Sequence, residues 1–312
     1  MGRRRKGRAV SGVLLLDKPA GMTSNAALQK VRWLYQAQKA GHTGSLDPLA
    51  TGLLPLCLGE ATKFSRFLLE ADKQYLVTAR FGLATDTLDT DGETLHLLDS
   101  SPLTEKQLVE ALPALRGEIE QVPPIYSALK RDGKPLYRYA REGQEVDIEP
   151  RPVTIHSLEL LEFRPGEQAE ADLSVSCSKG TYIRSLVRDL GERLNMPGTV
   201  ARLRRTETGG FELENALTVE ALEQQRDQTG VQSMDAHLLP IDVLVQHLPR
   251  IDIDANSSRY FLQGQALIAD IPNCDHQPGD PIRVYCEDKG FLGVAEVTDE
   301  NRIQPKRLVV AS

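Results

Sequence analysis

The sequence predicts an α+β fold in which grouped helices flank a mixed or antiparallel central sheet, followed by a small C-terminal β module. Three observations predict it. Tyr75, Val77, Ala79 and Phe81 alternate with Leu76, Thr78 and Arg80, the period-two pattern of a half-buried strand. Strand-like and helix-like runs come in groups rather than in regular βαβ alternation, which argues against a doubly wound parallel sheet. Composition shifts over about residues 226–250, where Gln, Asp and His lead into Leu248-Pro249-Arg250 and glycine-punctuated apolar runs take over.

The elements follow in chain order. Residues 11–16 read as a buried strand entering the Asp17-Lys18-Pro19 turn. Ser24 is expected to N-cap a helix carrying Leu28, Val31 and Leu34 at helical spacing, with Gly41 closing it. Strands are expected over 53–58, 75–81, 152–163 and 170–178, and helices over 60–70, 104–114, 135–142 and 181–194. Beyond Arg250, the runs 261–264, 279–280, 284–286, 290–295 and 307–310 suit a compact β module. The expected division is a first domain over 1–248, opening on a flexible basic arm over 1–10, and a second over 249–312.

A chain of 312 residues with 40% apolar and 26% charged residues has the composition of an ordinary globular protein with room for two domains. No apolar run approaches bilayer-spanning length, and the basic N-terminus lacks the apolar core of a secretory signal. Lys6 stands where a myristoylation signal wants Ser or Thr. A cytoplasmic protein is expected. Cys57, Cys177, Cys274 and Cys286 are scattered, as buried apolar cysteines are, and the six histidines show no ligand spacing, so no metal is expected. The net charge of −7 argues weakly against a nucleic-acid partner, but distribution matters more than the sum. Arg3–Arg8, the group Lys130, Arg131, Lys134, Arg138 and Arg141 with interleaved Tyr137 and Tyr139, and Arg202, Arg204 and Arg205 form three basic clusters. Each alone suits a solvated face; together they suggest a basic cleft on an acidic surface.

The stretch Gly41-His42-Thr43-Gly44-Ser45-Leu46-Asp47-Pro48-Leu49-Ala50-Thr51-Gly52 carries one carboxylate among three glycines. Glycine allows a ligand close to the main chain, and Pro48 pushes Asp47 out of helical geometry. On the residues alone, Asp47 reads as an ordinary Asp-Pro turn or as a carboxylate presented to a ligand. Three other readings fail. The segment lacks the Gly-Lys-Ser/Thr ending of a phosphate loop, and no Gly-x-Ser-x-Gly elbow is present. Placing Gly92 at the sixth position of a calcium loop puts Thr87 first and Leu98 twelfth, where ligands are needed.

In unbroken register, this segment resembles the nucleophile loop of the TruB family of tRNA pseudouridine synthases. Similar blocks follow in order: Leu16-Asp17-Lys18-Pro19 with Gly21 and Ser24, Lys73-Gln74-Tyr75, Asp86–Gly92, Pro123–Lys130 and Lys179-Gly180-Thr181-Tyr182-Ile183-Arg184. Gly293 with Val294–Val297 resembles the closing strands of a PUA-type RNA-binding domain, a weaker match that an unrelated small barrel would also give. The resemblance implies the pseudouridine synthase fold and isomerisation of uridine 55 in the tRNA T-loop, with base flipping and no cofactor. It implies Asp47 as nucleophile, Tyr75 stacking on the uracil and serving in deprotonation of C5, and Arg184 pairing with Asp47. His42 would wedge into the RNA loop, and Tyr182 and Leu203 would line the pocket. Lys18 and Pro19 look like braces of the loop, and Lys18 also stands with Lys130 among the implied substrate-binding positions. On residues alone, Tyr75 also fits a strand core and Arg184 a helix surface. The implied partner is the tRNA T-stem-loop, bound by a monomer with no membrane, guide RNA or obligatory protein partner. A non-catalytic RNA-binding protein on the same fold, or a guide-dependent relative of the dyskerin type, are the alternatives. The intact Asp47, Tyr75 and Arg184 set argues against the first, and the short N-terminal arm against the second.

Overall fold

The computed structural model describes residues 7–268 and 277–310. Met1–Lys6 of the basic arm, Cys274 and His276 lie outside the described residues. Among the described residues a ten-stranded mixed sheet forms the first domain. Its main path runs Leu217–Thr218, Gly12–Lys18, Thr51–Leu58, Gly198–Thr208, Lys73–Phe81, Glu170–Cys177, Arg151–Arg164 and Gly117–Gln121. Gly198–Thr208 pairs in parallel with Thr51–Leu58 and antiparallel with Lys73–Phe81, so it joins the two halves of the sheet.

One face of the sheet buries Leu14, Leu16, Leu54, Leu56, Val77, Ala79 and Leu173 against helices Ser24–Leu34 and Ile183–Arg193. The helix patterns explain the fit: Ala27, Leu28, Val31 and Leu34 recur on one side of the first, and Ile183, Leu186, Val187 and Leu190 on one side of the second. Fully burying each of the Leu, Ile and Val side chains among these is worth about 1.5–3 kcal/mol before conformational entropy is charged. On the other face, Val13, Leu15, Leu53 and Cys57 pack with Phe64, Leu244 and Leu248.

The C-terminal module is a five-stranded sheet ordered Arg250–Ile253, Pro281–Cys286, Gly290–Val297, Arg302–Leu308 and Leu267–Ile268, with helix Ala255–Leu262. Its own core gathers Ile251, Phe261, Ile282, Val284 and Ile303. It rests on the first domain through Val294, which joins the Leu53 and Phe64 cluster, and through Phe291, whose ring lies 5.4 Å from that of Phe64. Lys63 Nζ donates to Leu308 O at 2.9 Å across the same contact.

Several boundaries and elements differ from the expectation. Thr23, not Ser24, caps the first helix, its side chain accepting from Ala26 N. The helix ends at Leu34, and Gly41 lies in the short strand Ala40–His42. The segment 60–70 splits into a 3₁₀ turn, Gly59–Lys63, and a short helix, Ser65–Leu69. The segment 104–114 is helical over Glu105–Ala111, closed at its start by a capping box between Thr104 and Gln107, then tightens where Pro113 enters. Residues 261–264 end a helix rather than forming a strand; Asp254 caps that helix by accepting from Asn256 N and Ser257 N. Strand Gly198–Thr208 and helix Val219–Thr229 were not anticipated. The third basic cluster divides: Arg205 is buried and Arg204 Nη2 pairs with Asp17 Oδ2 at 2.6 Å, while Arg202 is exposed. Arg8 of the arm is pinned to Asp235 and donates toward Tyr35 O.

Candidate active site

The glycine-rich loop is anchored by its main chain. Thr43, fully buried, donates its N–H and hydroxyl to Pro55 O at 3.2 and 3.3 Å. Ser24 Oγ accepts from Leu46 N at 2.7 Å, and Gly21 N donates to Pro48 O at 2.9 Å. Ala50 N closes a turn onto Asp47 O at 3.1 Å, so the Asp47 carboxylate projects from a fixed bend. Lys18 is fully buried, and its ammonium donates to Pro19 O, Met22 O and Pro48 O. Burial lowers its pKa to about 8, opposed by the charge of Asp47. Lys18 therefore braces the loop from beneath, its ammonium spent on backbone carbonyls and outside the lining of the Asp47 cleft.

Gly52 closes the loop at φ +100°, where a Cβ would meet Arg205 O at 2.3 Å and Arg205 N at 2.8 Å. Both atoms belong to the neighbouring strand's backbone and cannot step aside. Gly52→Ala is expected to destabilise the protein by about 3 kcal/mol or more, combining left-handed strain with the clash. Thermal unfolding would check it, and a midpoint within about a degree of wild type would contradict the packing described.

Asp47, Tyr75, Tyr182, Arg184 and Leu203 line one cleft of about 290 Å³, together with Lys73, Ser127, Thr181 and Arg205. Larger clefts lie elsewhere, against Arg188 and Glu192, beside Leu76 and Arg202, and between Leu14, Phe211 and Leu239, and none of these includes Asp47. The Asp47 side chain is 40% exposed, and Arg184, 5% exposed, brings Nε to 2.8 Å from its Oδ2. This is a close ion pair rather than an aligned hydrogen bond, since Arg184 Nε has no bond of good geometry. The fork is fixed at its far end: Nη1 donates to Thr87 O at 2.6 Å and Nη2 to Tyr126 O at 2.9 Å. Asp89 Oδ2 stands 3.6 Å from Nη1, within an acidic turn tied by Thr87 Oγ1 to Asp89 Oδ1 at 2.6 Å. Burial pushes the Asp89 carboxyl up, and the Thr87 hydroxyl and Arg184 pull it back.

Tyr75 and Arg205 sit directly opposite one another on paired strands. Burial raises the Tyr75 phenol, and the Arg205 guanidinium opposes the rise. Tyr182 opens the helix Ile183–Arg193, its N–H donating to the buried Gln121 Oε1 at 2.7 Å. Burial raises its phenol also.

His42 and Lys130 are not brought into this cleft. His42 faces Leu56 in the short strand, half-buried, with Nδ1 unpartnered. Burial and Arg205 lower its pKa. Lys130 is exposed on a small hairpin paired with Pro135 and lies outside the lining of the Asp47 cleft. Sequence reasoning missed Arg205, Lys73 and Gln121 as parts of the site. Arg205 lies two residues beyond Leu203 and shares its face, but on a strand that the sequence reading did not place. Among the described residues no cluster of His, Cys, Asp or Glu is placed to hold a metal ion, and no helix is long and apolar enough to cross a membrane.

Three family models match in succession. One described as TruB family pseudouridylate synthase, N-terminal domain, covers residues 32–183. One for the tRNA pseudouridylate synthase B C-terminal domain covers 184–246, and one for pseudouridine synthase II TruB, C-terminal, covers 249–309. A Saccharophagus degradans protein named tRNA pseudouridine synthase B is 54% identical over 310 residues, covering 99% of both chains. One of the same name from Pseudomonas aeruginosa is 51% identical over 306 residues, covering 97% of both. Among solved structures, a chain of a Cbf5-Nop10-Gar1 complex superposes with a TM-score of 0.70 at 25% identity, over 96% of this chain and 84% of that one. A chain of an H/ACA RNP bound to a substrate RNA gives a TM-score of 0.72 at 20% identity, covering 100% of this chain and 92% of that one, a likeness of fold.

Proposed function

Because this chain belongs to the TruB family of pseudouridylate synthases, we propose that it converts uridine 55 in the T-loop of tRNA to pseudouridine, alone and without a cofactor. The observation that carries the reading is the meeting of Asp47, Arg184 and Tyr75 in one cleft, from segments far apart in the chain. The reaction breaks the C1′–N1 bond, turns the uracil and joins C1′ to C5; C5 then loses its proton and N1 gains one. A stacked base cannot turn, so the nucleotide is flipped into the cleft.

Each residue has a task in that sequence. Asp47 supplies the nucleophile from a loop that holds it still, and Arg184 orients it with a guanidinium anchored on Thr87 O and Tyr126 O. Tyr75 offers a flat face for the uracil and an oxygen for the C5 proton. Leu203 and Tyr182 wall the pocket. His42, outside the cleft lining, is suited to the RNA loop rather than to the flipped base, and Lys130 to phosphate. The C-terminal module resembles a PUA-type domain and adds contacts remote from the target base. A cytoplasmic monomer acting on tRNA fits this reading.

Binding is expected to weaken steeply with salt despite the net charge of −7, because phosphate contacts release counterions. A flat plot of log affinity against log salt would contradict a basic RNA cleft. The function itself is tested by tritium release from tRNA carrying uridine labelled at C5. The purified protein alone is expected to release about one equivalent from the target site per tRNA. Release only after addition of a guide RNA would favour a guide-dependent enzyme, and no release with tight binding would favour a non-catalytic RNA-binding protein.

A further inference from the structure

Arg205 is 1% exposed, yet among the described residues no carboxylate lies within ion-pair distance of it. Its Nε donates to Leu53 O at 2.7 Å and its Nη2 to Gly44 O at 3.4 Å, both main-chain carbonyls. Its neighbours behave differently: Arg204 is neutralised by Asp17, and Arg184 by Asp47 and Asp89. Burying an unpaired guanidinium costs several kcal/mol, so the fold retains here a positive charge without a resident anion. That charge lines the cleft, directly across the strand pair from Tyr75, with both side chains on one face of the sheet.

The geometry points to Arg205 as the positioning residue of the C5 proton step, holding the Tyr75 oxygen in place and stabilising it as the anion that takes the proton. This rests on the pseudouridine synthase reading above. Once C1′ is joined to C5, that carbon carries both the ribose and its original hydrogen. The Tyr75 phenolate takes the hydrogen as a proton. The C–H electron pair becomes the C5=C6 bond, the N1=C6 π pair retreats to N1, and N1 takes a proton from water. Tyr75 then returns its proton to solvent. A phenolate in this cleft needs a cation, because burial, Cys177 and Asp47 all oppose its charge and Arg205 supports it. Lys73 is the weaker counter-charge: two of its three ammonium hydrogens go to Leu69 O and Ala71 O, and burial lowers its pKa to about 8. Arg184 is engaged with Asp47.

The test compares tRNA carrying protium or deuterium at C5 of its uridines, in single turnovers at saturating enzyme. Wild type is expected to give a rate ratio of about 1, set by an earlier step. Arg205→Met is expected to slow pseudouridine formation about 100-fold and to raise the ratio to about 3 or more, with tRNA affinity within about threefold of wild type. Arg205→Lys, which keeps the charge without the fork, is expected to give an intermediate ratio. A folded Arg205→Met with a ratio near 1 would overturn the proposal, because a merely structural defect slows the reaction without exposing the C5–H bond. If only the Lys variant folds, a ratio near 1 there overturns it and one above about 2 supports it. If neither folds, Arg205 belongs to the scaffold and the proposal is wrong. Wild type that forms no pseudouridine from either tRNA would instead remove the functional reading on which it rests.

Discussion

Asp47→Asn is expected to abolish turnover, lowering the single-turnover rate by about four orders of magnitude or more while tRNA affinity stays within about threefold. The substitution keeps the shape of the side chain and removes only the nucleophilic oxyanion. The loop does not depend on that charge for its form: Thr43, Ser24, Gly21 and Lys18 hold it through main-chain atoms. Affinity comes from phosphate and shape contacts that a neutral amide leaves in place. Rate and binding measured on the same preparation check this. Turnover within about tenfold of wild type would exclude Asp47 as the nucleophile.

Arg184→Ala is expected to be nearly as damaging, and in two ways. The guanidinium joins Asp47, Asp89, Thr87 O and Tyr126 O, so its removal frees the nucleophile and leaves the buried Asp89 carboxylate without its counter-charge. Breaking such a buried pair costs about 3 kcal/mol or more of stability. Loss of orientation adds a rate decrease of about 100-fold or more. Arg184→Lys separates the two effects: it returns most of the stability, because a cation again faces Asp89, but little of the rate, because one ammonium cannot make the fork. Urea unfolding and single-turnover rates on both variants check this. A Lys variant as fast as wild type would show that charge alone suffices.

Much of the sheet was legible because its strands obey the period-two rule, as Lys73–Phe81 does. The central strand Gly198–Thr208 was hidden because arginines occupy three of its positions and Arg205 points into the protein. A buried arginine inverts the polarity pattern on which strand reading depends. Helix Val219–Thr229 escaped for a different reason: only Val219 and Leu222 are buried, too thin a stripe to register against its Glu, Gln and Asp residues. Asp254 signalled the helix of the C-terminal module as an N-cap, but the neighbouring glycines drew the reading toward strands. At the site, motif register identified Asp47, Tyr75, Arg184, Tyr182 and Leu203, which share one cleft. It did not separate Lys18, whose role depends on burial beneath the loop, from residues that meet solvent. Nor did it single out Arg205, whose importance lies in an absent partner, a property visible only in three dimensions.

The most direct measurement maps pseudouridine at every position of one unmodified tRNA transcript after incubation with the purified chain alone, wild type and Asp47→Asn in parallel. Wild type is expected to yield a single pseudouridine, at position 55, and the variant none. Pseudouridine formed by the variant, formed only at other positions, or absent from the wild-type reaction would contradict a stand-alone synthase built on Asp47.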